Sequence, residues 1–408
     1  MTLSIRYCVA ITLLLPLCSI GCEAGSGREA AVVRDSAGIT IVENHDGMWT
    51  EGEEWQVSGQ PQLDIGVLDG APEYQLYQVR DLLRLSDGRI VVANAGTNEL
   101  RFFDQDGAYL MSVGGQGGGP GEFESLTLVR PFPGDSLLTY DNRQSRVTVW
   151  DSEGNLGRSY SVTPVGEVVF MLGEGVFADG TLLAKAPLIF RGGISDGARR
   201  DDEEFQSFST SGTFADTVGV FPGPEQFIES HVDGDQAFVS VATPPFGLRS
   251  VSAVHGDRFY FGSADSYEIQ RHAQDGTLER LIRRDIARRP VTSDDLQRLI
   301  ERELAETEDA NDRRDARERY DRMPVAGTMP AYAGLEVDDL GNLWVQEYDP
   351  ESDRSASWTV FDADGQMLGG VQLPADFGVT HIGADFVLGV WRDDLDVEHV
   401  RMYELVKG

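Results

Sequence analysis

The chain has 408 residues, of which 41% are hydrophobic, and it carries a formal net charge of −34. This length and hydrophobic content are sufficient for one large hydrophobic core or two modest ones. The charge argues against nucleic acid as a partner, because a surface this acidic repels phosphate.

The first 22 residues have the pattern of an export signal. Arg6 precedes an apolar run, Tyr7–Ile20, that is short for a membrane span. The run ends in LCSIGC (17–22), and small residues before a cysteine resemble a lipobox. We therefore expect Cys22 to become the lipid-modified N-terminus of an extracytoplasmic protein on a bacterial membrane, with residues 23–32 as a tether. Ordinary signal cleavage and a retained anchor are the alternatives.

The three cysteines of the chain, Cys8, Cys18 and Cys22, all lie in this segment. The mature domain is therefore expected to contain no disulfide and no thiol nucleophile. Glu23, directly after Cys22, is compatible with export to the outer membrane.

A strand-like segment, GITIVE (38–43), stands alone after a turn-like stretch at 35–37. From residue 85 onward the chain repeats one pattern six times: a turn with Asp or Gly, an apolar strand, and a second turn that is often aromatic-Asp-x-x-Gly. Asp-Gly pairs supply the positive φ angles that tight hairpin turns need. The copies begin at LSDGRIVVAN (85–94), PGDSLLTYD (133–141), FADGTLLAK (177–185), HGDRFYFGS (255–263), DDLGNLWVQE (338–347) and GADFVLGVW (383–391).

Four-stranded units of about 40–50 residues that cannot bury their faces alone are typical of propeller blades. We therefore predict an all-β, six-bladed β-propeller in one domain over residues 33–408. The last copy supplies only three strands, and pairing segment 38–43 with it would close the ring and remove the exposed edges. The alternative is that 38–43 forms an ordered N-terminal arm.

A family resemblance follows from these features. The run VGGQGGGPGEF (113–123) looks like the inter-blade linker of NHL-type propellers. The arrangement from ITIVEN (39–44) to the C-terminus resembles the bacterial six-bladed β-propeller lipoproteins related to the NHL group. The resemblance implies the fold, whereas the activity of that family is mostly undefined.

Two insertions interrupt the repeat. Residues 187–204 are highly charged and predict a long solvated loop in the third blade. Residues 292–323 change to a helical period, with Thr292 or Ser293 as the cap and a break near 308–311. The second insertion predicts two helices between blades four and five, either packed on the rim or forming a lid over one mouth of the channel.

The usual working surface of a propeller is the mouth where inter-blade linkers emerge. Residues six positions after each first turn are expected there, and innermost strands are expected to present further side chains to the channel. The candidate ligand-binding residues are Asn94, Asp141, Glu347, Arg80, Arg249, Tyr332 and His381.

These features favour a lipid-anchored binding or interaction scaffold for an unknown protein or small molecule, attached to the membrane through Cys22. The alternative is a metal-dependent hydrolase or lyase, lactonase-like, with acidic ligands at the channel mouth. No cofactor is expected, although the Asp-x-Asp-Gly of FDQDG and FDADG is a fragment of a calcium loop, which keeps calcium or another divalent cation open. The six histidines form no local metal motif, and no nucleophile elbow occurs.

Overall fold

The computed structural model describes residues 30–166, 168, 170–188, 195–233, 236–307, 309–352, 354 and 356–408. The predicted export signal and Cys22 lie outside the described residues. Six sheets form a ring in which each innermost strand contacts the next one and the last contacts the first. The predicted all-β, six-bladed β-propeller is confirmed.

Four short strands precede the first blade. They are β1 (Ala31–Ser36), β2 (Ile39–Asn44), β3 (Gln56–Val57) and β4 (Leu63–Ile65).

Each blade is an antiparallel sheet whose first strand lies innermost. Blade one consists of β5 (Val79–Arg84), β6 (Ile90–Asn94), β7 (Glu99–Phe103) and β8 (Tyr109–Gly114). Blade two consists of β9 (Leu126–Phe132), β10 (Ser136–Asp141), β11 (Arg146–Asp151) and β12 (Leu156–Ser161). Blade three consists of β13 (Leu172–Val176), β14 (Leu182–Pro187), β15 (Gly197–Phe208), β16 (Phe214–Asp233) and β17 (Gln236–Ala242).

The second half of the ring continues the same order. Blade four contains β18 (Val251–His255), β19 (Arg258–Gly262), β20 (Glu268–Ala273) and β21 (Leu278–Arg284). Blade five contains β22 (Gly334–Val337), β23 (Leu343–Gln346), β24 (Ser357–Phe361) and β25 (Met367–Gln372). Blade six contains β26 (Phe377–Ile382), β27 (Phe386–Arg392) and β28 (Glu398–Val406).

The ring has two distinct faces. On the turn face, each innermost strand turns into the second strand of its blade, as at Asp87-Gly88 in blade one. On the linker face, the chain passes from one blade to the next, as at 115–125 between blades one and two. The repeated turns are hairpin chemistry: Asp104 Oδ1 accepts hydrogen bonds from the Asp106 and Ala108 amides, at 3.0 and 2.8 Å.

The hydrophobic core consists of layers between neighbouring blades. Phe102 of blade one and Trp150 of blade two, for example, are buried in the same layer. Alternating strands bury one face against each neighbouring blade, so every blade depends on the blades on both sides.

The ring is closed by β4 and β3 rather than by segment 38–43. Strand β4 pairs antiparallel with β28, with Ile65 opposite Val400, and β3 pairs with the end of β28. Leu63 and Ile65 are buried in one cluster with Leu82 of blade one. Closure by an N-terminal strand is therefore confirmed, but the prediction that 38–43 provides it is wrong.

Strand β2, which contains that segment, instead extends blade four. It runs parallel to β21, with Val42 opposite Ile282, and β1 forms a hairpin with it. At its end the buried Asn44 accepts a hydrogen bond from the Met367 amide (2.8 Å) and donates one to the Gly365 carbonyl (2.9 Å). A β-branched strand can pair with any open sheet edge. The hydrogen bonds between Asn44 and blade five favour the outer edge of blade four over the others. The predicted tether also ends early, because β1 begins at Ala31.

Where the structure describes it, at 187, 188 and 195–204, the charged insertion of blade three contributes to an extended sheet rather than to a solvated loop. Residues 189–194 lie outside the described residues. Strands β15 and β16 continue past the blade on the linker face, where Arg200 pairs with Glu225 in the register, and β17 returns along β16. Arg200 donates hydrogen bonds to the Gly223 and Ser263 carbonyls (2.7 and 3.0 Å) and so ties the extension to blade four, a contact that the local charge density did not predict.

The second insertion forms helices α1 (Ser293–Glu306) and α2 (Ala310–Arg322), as predicted. Thr292 and Asp295 form a reciprocal capping box at the start of α1. Arg302 donates to the Pro350 carbonyl (3.2 Å), and Arg322 pairs with Glu229 of the blade-three extension (2.7 Å). The helices therefore pack on the linker face. Within the described residues, no helix is long and apolar enough to cross a membrane.

Candidate functional site

The turn face has a cavity on the axis of the propeller. Its volume is about 390 Å³, and all six innermost strands or the turns that follow them line it. A second cavity of about 290 Å³ adjoins it and shares Phe132, Asp339 and His381 with it. We call the first the axial cavity. Its apolar wall includes Leu82, Phe132, Phe177, Val254 and Val337, and its polar lining includes Arg130, His255, Glu336, Asp339 and His381.

The floor of the axial cavity is built on three charged residues from three blades, of which Arg130 and Glu336 line the cavity. Asp81 of β5 is buried and forms an ion pair with Arg130 of β9. Asp81 also accepts a hydrogen bond from the Val129 amide (2.8 Å), while Arg130 donates to the Val129 carbonyl (2.9 Å). Burial acts to lower the pKa of Arg130, but Asp81 outweighs it and the pKa is raised. The charge of Arg130 is therefore already balanced by a partner from the protein.

The third floor residue, Glu336 of β22, has no such partner. Its carboxyl group makes no hydrogen bond to any other residue that the structure describes. Burial raises its pKa to about 8, against the opposing effect of Arg130 and with a further contribution from Asp81. The group is therefore largely protonated at neutral pH.

The rim of the axial cavity is made by His381, Asp339 and His255. The Arg84 amide donates to His381 Nδ1 (3.2 Å), so Nε2 carries the proton of the neutral ring and faces Asp339 Oδ1 at 3.1 Å. Desolvation acts to raise the pKa of Asp339, but the His381 hydrogen bond and the nearby His255 outweigh it and hold that pKa below its usual range. The rim thus presents a carboxylate beside two imidazoles.

A second polar cluster lies beside the axis between blades three and four. Lys185 of β14 pairs with Glu174 (3.1 Å) and with Glu203 (3.6 Å), and Ser252 of β18 donates to Glu174. Burial acts to lower the pKa of Lys185, but the two carboxylates outweigh it and raise it; burial raises the pKa of Glu203. Each charged group here has an ion-pair partner within the cluster, although Glu203 Oε2 makes no hydrogen bond, so the cluster has a structural rather than a binding character.

Three of the predicted site residues form hydrogen bonds that hold the linker face together and do not line the axial cavity. Buried Asn94 accepts a hydrogen bond from the Tyr77 amide (2.8 Å), and buried Asp141 accepts from the Glu124 (2.6 Å) and Ser125 amides (2.9 Å). Glu347 accepts from the Tyr267 hydroxyl and from Arg284, both at 2.9 Å. Asn94 and Asp141 hold the chain that enters their own blades, whereas Glu347 joins blade five to blade four. The structure does not bring the three together.

The remaining predicted residues are also dispersed. Tyr332 is buried, donates to the Glu268 carbonyl (2.8 Å), and has a pKa raised by burial. Arg80 is exposed on an irregularity of β5, and Arg249 is exposed just before β18. His381 alone among the seven lines the axial cavity.

Sequence reasoning missed Asp81, Arg130, Glu336, His255 and Asp339. A signal was present for Arg130 and Glu336, because each is the single charged residue of its innermost strand, LTLVRPF and GLEV. Asp81 lies in VRDLLR among other charged residues and gave no such signal. Charge within an innermost strand indicates a channel-facing position, since the other side chains of that strand are buried between blades.

The residues that the structure describes contain no group of three or more His, Cys, Asp or Glu side chains placed to hold a metal ion. At the rim, His381 and Asp339 are bonded to each other, and Asp141 is occupied by backbone amides. The possible divalent cation therefore stays a prediction from the sequence, and no observation favours the metal-dependent alternative.

Glu336→Gln is expected to stabilise the fold at pH 8.5 and to have little effect at pH 5. A native pKa of about 8 against an ordinary 4.5 means that the folded protein retains a proton that the unfolded chain releases. The contribution of Glu336 to stability is therefore complete below pH 4.5 and is lost as the pH rises to 8. With channel water allowed for, the variant should gain about 1–3 kcal/mol at pH 8.5. Urea unfolding at both pH values measures the change in the free energy of unfolding. An equal change at pH 5 and pH 8.5 would contradict the prediction.

The comparisons with known proteins agree with the fold. The family model DUF5128, described as a 6-bladed beta-propeller, matches residues 72–154. The predicted resemblance to bacterial six-bladed propellers is thereby confirmed at the level of the fold. No curated protein matches the sequence.

Solved structures of similar fold come from several bacteria. A member of the DUF4221 family from Bacteroides vulgatus is 10% identical, with 88% of this chain and 100% of that chain covered and a TM-score of 0.47. A Bacteroides fragilis protein described as exported is 11% identical, with 90% and 99% covered and a TM-score of 0.46. Virginiamycin B lyase from Staphylococcus aureus is 9% identical, with 86% and 100% covered and a TM-score of 0.42. These similarities concern the fold alone.

Proposed function

We propose that this protein is an extracytoplasmic, lipid-anchored propeller that binds a small polar molecule in the axial cavity, without a cofactor. The observation that carries the proposal is the cavity itself: all six blades contribute to it, and its floor has a carboxyl group without a hydrogen-bond partner. Its volume of about 390 Å³ lies within the usual range for small-molecule sites.

The shape of the site supports a small molecule over a large flat partner. Apolar walls surround a few polar groups, which is the usual composition of a ligand pocket. The adjoining cavity extends the site along Phe132 and Pro131 towards Arg84, so that a ligand longer than the axial cavity has room to continue.

The anchor and the site are on opposite faces in this proposal. Strand β2 runs parallel to β21 and ends with it on the linker face, so the hairpin partner β1 begins there, at Ala31. Cys22 is eight residues before Ala30, and eight extended residues reach at most about 28 Å. A lipid on Cys22 would therefore hold the linker face towards the membrane and leave the axial cavity open to solution. Radiolabelled palmitate should mark the natural protein but not Cys22→Ala, and equal labelling would refute the anchor.

The binding function is tested with a cavity-blocking variant. Ala178 is an exposed turn residue that lines the axial cavity, and Ala363 is an exposed turn residue of blade five outside it. In a thermal-shift screen of amines, carboxylates, sugars and short peptides, compounds that stabilise the natural protein should lose their effect in Ala178→Trp and keep it in Ala363→Trp. Compounds that stabilise all three proteins equally would place binding elsewhere and contradict the proposal.

A further inference from the structure

The charged groups of the axial cavity differ in whether the protein already satisfies them. Arg130 is paired with Asp81, and Asp339 accepts a hydrogen bond from His381. Glu336 has neither a hydrogen bond nor an ion pair with any residue in the described part of the chain. A carboxyl group in a partly desolvated site is costly unless a partner compensates it, and here the fold supplies only the distant effect of Arg130. The missing partner is a hydrogen-bond donor or a cation.

The surroundings favour a cation. Arg130 forms an ion pair with Asp81 through Nη1, so its positive charge is already balanced within the protein, whereas the charge of a Glu336 carboxylate is not. Asp339 adds negative charge at the entrance, and the net charge of −34 raises the local concentration of cations over the whole surface. Phe132, Phe177 and Val254 provide an apolar wall for the body of the ligand.

We propose that the ligand of the axial cavity is an organic ammonium ion with an apolar body, and that its ammonium group forms an ion pair with Glu336. This inference rests on the proposed binding function and adds the chemical class of the ligand. The ammonium group would donate hydrogen bonds to the Glu336 carboxylate, and the apolar body would contact Phe132, Phe177 and Val254.

Binding of a cation should release a proton. The carboxyl group of Glu336 has a pKa of about 8 and is mostly protonated at pH 7, whereas the ion pair requires the carboxylate. The charged groups that face it are Arg130 and Asp81 from the floor and His255, Asp339 and His381 from the rim. Affinity for the cation should therefore rise with pH, by up to about tenfold per pH unit below pH 8, and level off above it.

Three probes with the same phenethyl body and different charge test the proposal: phenethylammonium, 2-phenylethanol and 3-phenylpropionate. Isothermal titration calorimetry in phosphate at pH 6, 7 and 8 gives Kd. A second titration at pH 7 in HEPES, which has a different ionisation enthalpy and no primary ammonium group, gives the number of protons released. Phenethylammonium should bind with a Kd on the order of 1 mM or tighter at pH 8. Its binding should release up to one proton. 2-Phenylethanol and 3-phenylpropionate should bind at least tenfold more weakly.

The variant Glu336→Gln identifies the group responsible. At pH 8 it should weaken phenethylammonium about tenfold or more, since a charge-assisted hydrogen bond is lost, and it should abolish proton release without weakening 2-phenylethanol. If Glu336→Gln still releases a proton on binding, the proton comes from the rim histidines and the proposal is overturned. The proposal would also be overturned if 3-phenylpropionate bound more tightly than phenethylammonium and took up a proton.

The two proposals fail in different ways. If an anionic or neutral probe binds best and Ala178→Trp abolishes its binding, the cavity is a ligand site and only the ammonium class is wrong. If every probe that binds does so equally in Ala178→Trp, or none binds at all, the ammonium proposal is overturned; the screen against Ala178→Trp then decides whether the cavity binds other compounds.

Discussion

A chain that begins at Val67 is expected not to fold into a cooperative propeller, whereas a chain that begins at Asp46 is expected to fold. The first lacks β3 and β4, so β28 keeps an exposed edge and the cluster with Leu82 loses Leu63 and Ile65. Burying two such side chains stabilises a fold by about 2–5 kcal/mol each, and the seam between blades six and one is lost with them. The second chain loses only β1 and β2, which extend the outer edge of blade four.

Calorimetry and size-exclusion chromatography distinguish the two chains. The chain from Asp46 should unfold in one transition, at a temperature below that of the full chain because the Asn44 hydrogen bonds are gone. The chain from Val67 should show a broad transition or aggregate. The opposite ranking would return the closing role to segment 38–43.

Lys185→Met is expected to destabilise the fold by about 3–5 kcal/mol, because it leaves Glu174 and Glu203 without their shared cation. The side chain of Glu203 is 7% exposed and that of Lys185 is 19% exposed, so water compensates little of the lost charge. The loss should be smaller at pH 5 than at pH 8, since burial already raises the pKa of Glu203 and protonation relieves the unpaired charge.

The matched control removes the carboxylates as well. Combining Lys185→Met with Glu174→Gln and Glu203→Gln should restore most of the loss, because no unpaired charge is then left. Urea denaturation of the single and triple variants measures both values. A triple variant less stable than Lys185→Met would show that packing, and not the unpaired carboxylates, causes the effect.

The proposed anchor, the axial cavity and the insertions are divided between the two faces of the ring. The helices and the blade-three extension lie on the linker face, with the N-terminus of the described chain. The axial cavity opens on the turn face, away from all three. A ligand can therefore enter the axial cavity without movement of the helices. The sequence had allowed these helices to be a lid over one mouth of the channel.

Most of the fold could be predicted because its signals are local. The alternation of IVVAN and the Asp-Gly turns require only about ten consecutive residues to act, and the capping pair Thr292 and Asp295 is three residues apart. The site was mostly missed because its signals are not local. Asn94 and Asp141 stand at strand ends where a side chain reaches either the mouth or a neighbouring amide, and only the position of the linker decides between them.

The sequence by itself determined the number of blades, the two insertions and the export pattern, because period, turn chemistry and composition are properties of short segments. Only the tertiary structure decided that β4 closes the ring, that β2 extends blade four, and that Glu336 lacks a partner. Each of these depends on side chains hundreds of residues apart. Arg130 and Glu336 line the same cavity only because six blades, packed layer against layer, bring their innermost strands together.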